Sequence, residues 1–453
     1  MMMDSIFRLS VFLMKKKLIF LFFFTYISMN GVNAQTVSFY QELLLKNSNN
    51  LFPKDLIYDA PNLPISYKDF RRLGFDYISV YSLDNPRIVP NRFKYLLWTG
   101  VASNDANAKW HTEKNPFADD IKQYPKRWNA RLNAYKTKFN NPYDKDPFGL
   151  MILDIEAKKG LVQLEKNPPF RPGGTKNKKK AISDYKIAME KLYRYPLNFA
   201  KSHHSFFNKW SSYSDVPIEG NYPGFANKSW NDWITKTSHL NYITHRTTSG
   251  KVEETEFANQ LDFYSVSNYF SKIRTSPQFN IENHYLAYTI FQIEVNQAWT
   301  GKPIYLYFYF KYQGTNGKDV LINDNMVKNS VIFAFMSGVQ GIVLYDDSRK
   351  PTNDPNYHNL IKTFVESISI LDNYRDYFSG ENVVFYKPTN AQNLFVEKKP
   401  IVRGIEKNGK VLFAATNPFA RENEITRLPI NYKGKTIYIQ LKGTETKLLE
   451  ITY

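Results

Sequence analysis

The chain has 453 residues, of which 16% are aromatic and 23% charged, enough for one large domain and a small one. It contains no cysteine, which excludes disulfides, thiolate metal sites, a cysteine nucleophile and a lipidated cysteine anchor. Its formal charge of +18 favours anionic partners and speaks to association, not to fold.

The first 34 residues read as a secretory signal. Lys15-Lys16-Lys17 precedes the apolar run Leu18 to Phe24, and Val32-Asn33-Ala34 offers a small residue before Gln35. Basic region, short apolar region and cleavage site are the three parts of such a leader. The run is short for a membrane span, and no later segment reads as one. A secreted or periplasmic protein is therefore expected, with no integral membrane segment once the signal is removed. Residues 1–34 carry four Lys/Arg and one acid, so the remainder keeps about +15. An exported basic protein meets an anionic polysaccharide or a membrane surface more readily than nucleic acid, and no nucleic-acid partner is expected.

Residues 35–55 form an amphipathic lead-in, with Phe39, Leu43 and Leu44 at helical spacing. Leu56 to Asp59 is a weak first strand. Ser66 to Leu73 is a short helix stopped by Gly74. Asp76 to Tyr81 and Lys94 to Gly100 are strands. Asn115 to Tyr143 contains a helix with Trp128, Leu132 and Tyr135 on one face. Then comes Gly149-Leu150-Met151-Ile152-Leu153-Asp154-Ile155-Glu156, an apolar run that stops on two carboxylates. A continuous apolar run suits a strand buried on both faces, as in a parallel sheet covered by helices.

Ala157 to Lys180 carries eight Lys/Arg and one Glu and reads as a long basic loop. Ala181 to Ser212 reads as a helix, and Val216 to Tyr222 as a short strand. Leu261 to Tyr269 and Ile304 to Phe310 are strands around a helix from Glu282 to Trp299. Asn323 or Asp324 caps a helix to Met336. Gln340 to Asp347 is a strand, followed by a helix from Tyr357 to Tyr377. Strands alternating with helices, seven or eight in number, predict a (β/α) TIM-like barrel over residues 35–380. Beyond Gly380 the pattern changes to six short strands with turns such as Asn408-Gly409. Residues 381–453 are therefore expected to form a small C-terminal antiparallel β-sandwich.

Alternate strand residues share a side, so Asp154 and Glu156 are expected at the carboxyl end of their strand, where barrel enzymes keep their chemistry. Their Cα atoms would be only about 6.5–7 Å apart on one side. Two such carboxylates do not easily flank a glycosidic bond, but they suit a substrate-assisted scheme. In that scheme Glu156 is the general acid, and Asp154 orients a 2-acetamido group and keeps Glu156 protonated. Glu219, Glu294, Asp346 and Asp347 compete as partners in a conventional two-carboxylate mechanism. Each of these acids also suits an ordinary cap or ion pair. Trp98, Trp110, Trp230, Trp233 and Trp299 suit either core packing or stacking on sugars. The seven histidines show no metal spacing, and neither metal nor cofactor is expected.

The ordered motifs resemble the hyaluronidases of glycoside hydrolase family 56. Gly149 to Glu156 resembles that family's strand ending in Asp-Trp-Glu. Ile218-Glu219-Gly220-Asn221-Tyr222-Pro223 is similar to its Gly-Tyr-Tyr segment. Lys302 to Tyr307, and Met336 to Tyr345, resemble two later strands. The matches fall in family order over roughly residues 75–380. Ile155 replaces the family's tryptophan, its following Arg-Pro is missing, and its disulfides are absent. The resemblance implies a barrel hydrolase acting on hyaluronan or chondroitin by acetamido participation. It implies Glu156 as proton donor, Asp154 and Tyr222 on the acetamido group, and Tyr307 and Tyr345 along the groove; Asp346, next to Tyr345 at the strand end, is a further candidate for substrate binding. Two other readings stay open: a barrel glycosidase of another family pairing Glu156 with Glu219 or Asp346, and a polysaccharide-binding protein on a degenerate barrel.

Overall fold

The computed structural model describes residues 34–46, 52–101, 110, 113–117, 124–141, 145–156, 158–159, 161–169, 173–174, 176–204, 206–220, 224–246, 249, 251–270, 281–313, 320–347, 354–380 and 383–453. Tyr222 and residues 1–33, where a secretory leader is expected, lie outside them.

Eight strands form one parallel sheet. They are β1 (Asp55–Asp59), β2 (Tyr77–Ser79), β3 (Lys94–Trp98), β4 (Phe148–Leu153), β5 (Phe207–Ser212), β8 (Tyr264–Asn268), β9 (Ile304–Tyr309) and β10 (Gly341–Tyr345), in the order β5-β4-β3-β2-β1-β10-β9-β8. A parallel bridge between Tyr213 and Ser265 joins the two ends of this order. Ser211 Oγ, 2.9 Å from Ser265 Oγ, reinforces the seam. The sheet thereby closes into a (β/α) barrel. The short hairpin β6 (Thr244–Arg246) and β7 (Val252–Glu254) lies between β5 and β8.

Helices wrap the barrel: α1 (Ala34–Lys46), α2 (Tyr67–Arg72), α3 (Pro125–Phe139), α4 (Leu161–Lys166), α5 (Lys178–His203), α6 (Trp230–Thr235), α7 (Glu256–Asn259), α8 (Ile281–Gln297), α9 (Asp324–Met336) and α10 (Pro355–Asp372). Side chains that satisfy free amide groups fix several starts. Ser66 and Asp69 form a capping box on α2, and Asn177, Asn323 and Asp354 cap α5, α9 and α10. None of the described helices is long and apolar enough to cross a membrane.

Two expectations are corrected. The helix predicted to reach Ser212 ends at His203, and Phe207–Ser212 is β5. Its inward positions are small or polar because the barrel closes there, so no apolar run marks it. The strand expected from Val216 is a bend, held by Asn296, whose side chain bonds both Ile218 N (2.8 Å) and Ile218 O (3.1 Å). The basic segment after β4 also contains the short helix α4.

The period of two along each strand divides the core. Ile57, Leu97, Leu150, Ile152, Phe263 and Val343 fill the barrel interior with Tyr95, Tyr305 and Tyr307. Their neighbours Leu56, Leu96, Met151, Leu306 and Leu344 join the layer beneath the helices. At the amino end Asp55 pairs with Lys209 at 2.8 Å and accepts a hydrogen bond from Tyr305.

The C-terminal part has a four-stranded antiparallel sheet of β11 (Val384–Tyr386), β12 (Ile401–Lys407), β13 (Lys410–Thr416) and β16 (Thr446–Thr452), and a hairpin of β14 (Ile425–Tyr432) and β15 (Lys435–Lys442). A helix, α11 (Ala391–Glu397), precedes β12. Ile401, Ile405, Leu412 and Ala414 join the barrel's outer core. Val402, Val411, Phe413 and Ala415 pack with Ile430, Ile439 and Leu441 of the hairpin. The four-stranded sheet thus has the barrel on one face and the hairpin on the other.

Candidate functional site

Leu150 and Ile152 point into the barrel, and the same alternation carries Asp154 inward at the carboxyl end of β4. Its carboxyl is half-buried, and Oδ1 has no hydrogen-bond partner among the described residues. Burial raises its pKa to about 7, helped by the charges of Glu156, Asp215 and Asp59 and opposed by Lys158. Sequence alone expected Asp154 to keep Glu156 protonated; in the structure it is the Asp154 carboxyl that burial raises.

Glu156 is exposed, with φ at 48°. A left-handed backbone is uncommon outside glycine, and such residues gather at functional sites. This turn takes Glu156 out of the strand's alternation and onto the rim. There it lines a cleft of about 360 Å³ with Lys158, Tyr213, Glu219, Ser267 and Tyr269.

The wall of the cleft is phenolic. Tyr213 donates to Ser267 Oγ at 3.1 Å, and its ring centre lies 4.8 Å from that of Tyr307. Tyr269 stacks on Tyr345 with centres 5.9 Å apart. Tyr345 is half-buried at the end of β10. Tyr307 lies deeper, only 1% exposed, with its hydroxyl 2.8 Å from that of Tyr95. Burial raises the Tyr307 pKa, and Asp59 and Asp154 raise it further. Asp59 is itself fully buried, at the end of β1.

Two cations, Lys114 and Lys158, line the cleft, and Lys158 is the buried one. Its ammonium lies 2.9 Å from Asp215 Oδ1 and 2.5 Å from Ser214 O. Asp215 also accepts hydrogen bonds from Ser212 and Tyr242. Burial disfavours the charge on Lys158, but Asp215, Glu219 and Glu156 outweigh it and raise its pKa.

The other acids separate clearly. Glu219 lines the cleft with Glu156. Asp346 is 1% exposed and pairs with Lys311 at 3.1 Å. Asp347 is exposed and accepts from Tyr309 OH at 2.9 Å. Glu294 is buried against Arg403, far along the chain. Trp98, Trp110 and Trp233 are buried in the core, with Trp230 and Trp299 packed against it. Tyr213, Tyr269, Ser267, Asp59 and the Lys158–Asp215 pair were not singled out by sequence. Tyr213 and Ser267 are marked only by their place in strands whose inward positions are polar. Among the described residues no group of three or more His, Asp or Glu could hold a metal ion.

The fold and the site together define a (β/α) barrel with a tyrosine-walled cleft at the carboxyl end of its strands, lined by two glutamates and two lysines. No family model matches the chain. No curated protein matches it either. Several solved structures are similar to it. Bee venom hyaluronidase is 12% identical, with a TM-score of 0.37, over 71% of this chain and 97% of its own. A glycoside hydrolase family 5 protein from Bacteroides vulgatus is 11% identical, with a TM-score of 0.40, over 88% of this chain and 86% of its own. The alpha-amylase of Geobacillus thermoleovorans is 9% identical, with a TM-score of 0.39, over 88% and 96%. Identities and scores this low add nothing to the functional case, which rests on the cleft.

Proposed function

We propose that the chain is an exported glycoside hydrolase acting on an anionic, amino-sugar-containing polysaccharide of the hyaluronan or chondroitin type. The observation that carries this reading is the Asp154–Glu156 pair. One carboxyl is half-buried, with Oδ1 unpartnered among the described residues and a pKa near 7, and the other stands exposed on the rim of the same strand end. A carboxyl that holds its proton to near neutrality, beside a second carboxyl open to the cleft, offers a proton source for bond cleavage. The basic and apolar leader supports export, and the positive charge supports an anionic substrate.

In this reading the substrate's acetamido N–H binds the Asp154 carboxylate, and the Asp154 proton passes to Glu156. Glu156 donates it to the glycosidic oxygen as the C1–O bond breaks. The acetamido oxygen bonds to C1 in the same step. Water then attacks C1 as the bond between C1 and the acetamido oxygen breaks, giving one proton back to Glu156 and restoring the acetamido group. Tyr213 and Tyr269 offer ring faces and hydroxyls to the sugar; Tyr222, which the resemblance assigns to the acetamido group, lies outside the described residues. Tyr307 acts from beneath, through the packing of Tyr213.

A second reading rests on Glu219, which lines the cleft with Glu156. A protein carboxylate would then replace the acetamido group as nucleophile or base. Incubation with hyaluronan, chondroitin and neutral glycans, followed by analysis of product ends, tests the proposal. Saturated reducing ends from the amino-sugar polymers support it. Unsaturated uronate ends, or cleavage of neutral glycans alone, refute it. An oxazoline-type inhibitor that fails while Glu219→Gln abolishes turnover selects the second reading.

A further inference from the structure

A groove separate from the cleft runs along the outer face of α5. Its volume is about 650 Å³. One wall is a helical stripe from Lys179 through Ile182, Lys186, Ile187 and Lys191 to Arg194. Lys179, Ile182 and Lys186 follow at three- and four-residue spacing, as do Ile187, Lys191 and Arg194, so two adjoining rows make up one face. From Lys179 to Arg194, fifteen residue steps, the stripe is about 22 Å long. The opposite wall is polar and aromatic, with Thr237, Thr255 and Tyr242.

The charges of this groove are unevenly matched. Its two acids, Glu190 and Glu256, both pair with Arg194. Lys186 donates to Leu240 O at 2.5 Å. Among the described residues Lys179 and Lys191 enter no ion pair, although both are exposed. Ile187 stands 54% exposed between them. Unpaired cations spaced along a trough, with an apolar surface between them, complement a chain that carries regularly spaced anions on an apolar frame. The groove and the cleft share no lining residue, but a buried chain of hydrogen bonds links their walls. Tyr242 lines the groove and donates to Asp215, whose carboxylate pairs with Lys158 in the cleft wall.

We infer that the α5 groove is a second, non-catalytic binding site for a linear acidic polysaccharide. The choice of polysaccharide over peptide rests on the proposed function; the groove's preference for an extended polyanion does not. Within this reading the groove holds a neighbouring stretch of the chain whose sugars enter the cleft.

The test reads binding alone, so it is decided even if the protein hydrolyses nothing. Labelled polygalacturonate is titrated into the full chain carrying Glu156→Gln at low salt. This probe has carboxylates but no acetamido groups, which separates the groove from the substrate-assisted cleft. Adding Lys179→Glu and Lys191→Glu is expected to weaken binding roughly tenfold, with an unchanged unfolding midpoint. The equal charge change Lys435→Glu with Lys442→Glu, on the distant hairpin, is expected to weaken it less than about twofold. Ile187→Asp, which leaves the lysines in place, is expected to weaken it as well. Equal losses from the two double variants, or no loss from the first, would overturn the assignment. Poly-glutamate that binds as tightly, with the same dependence on Lys179 and Lys191, would overturn the choice of polysaccharide.

Discussion

Lys158 Nζ lies 2.9 Å from Asp215 Oδ1, with the two side chains 8% and 2% exposed. Removing one member of a buried pair leaves an uncompensated charge, which costs about 3–5 kcal/mol. Lys158→Met is therefore expected to lower unfolding free energy by that order in urea titrations. Replacing Asp215 by Leu in the same chain should recover part of the loss. A single variant within about 0.5 kcal/mol of wild type would show that the pair does not anchor the cleft wall.

The raised pKa of Asp154 predicts a pH dependence of defined sign. The folded chain holds this proton up to about pH 7, whereas the ordinary value is 3.8. Between those values the folded state binds more protons than the unfolded state, so stability falls as pH rises. The contribution is complete below the ordinary value and lost as pH passes about 7. Asp154→Asn removes the titration. The difference in unfolding free energy between wild type and this variant should shift by roughly a few kcal/mol, in favour of the variant, between pH 4 and pH 8. Parallel stability curves would refute the burial argument.

Gly149 makes a steric prediction. A Cβ there would lie 2.3 Å from Arg92 O and 2.5 Å from the Tyr77 ring. The backbone oxygen cannot yield as a flexible side chain would. Gly149→Ala is expected to destabilise the barrel by about 1–3 kcal/mol in thermal or urea unfolding. The amino-end packing is misjudged if the alanine variant is as stable as wild type.

Arg403 is fully buried and grips Glu294 through two bonds of 2.8 and 3.2 Å. It also donates to Val402 O and Thr389 O. This ties the four-stranded sheet to α8 on the barrel. Glu294→Ala should lower unfolding free energy by about 3–5 kcal/mol and speed proteolysis around residues 380–390. Loss of turnover without any loss of stability would instead return Glu294 to the catalytic candidates.

Much of the barrel is legible in the sequence, because β4, β9 and β10 are apolar on both faces and read as runs without reference to partners. β5 is not, since its inward positions are Lys209, Ser211 and Tyr213. Those side chains make sense only once the sheet has closed against Ser265. The six C-terminal strands are legible because their turns and alternation are local. The position of Asp154 and Glu156 at a strand end is likewise a local property. Which of them is buried is not: it depends on Asp59, Asp215 and Lys158, which the fold brings around Asp154. The roles of Glu294 and Asp346 also needed the fold, since their partners Arg403 and Lys311 lie elsewhere in sequence.

The central claim is that Glu156 passes a proton to a glycosidic oxygen. The most direct measurement compares turnover of hyaluronan and chondroitin by wild type and by Glu156→Gln, with binding and unfolding followed in the same preparations. The account predicts saturated product ends from wild type. It predicts a loss of about 10²–10⁴ in turnover for the variant, with binding and unfolding midpoint retained. Turnover that survives the substitution, or its absence in the wild-type chain on both polymers, would contradict it.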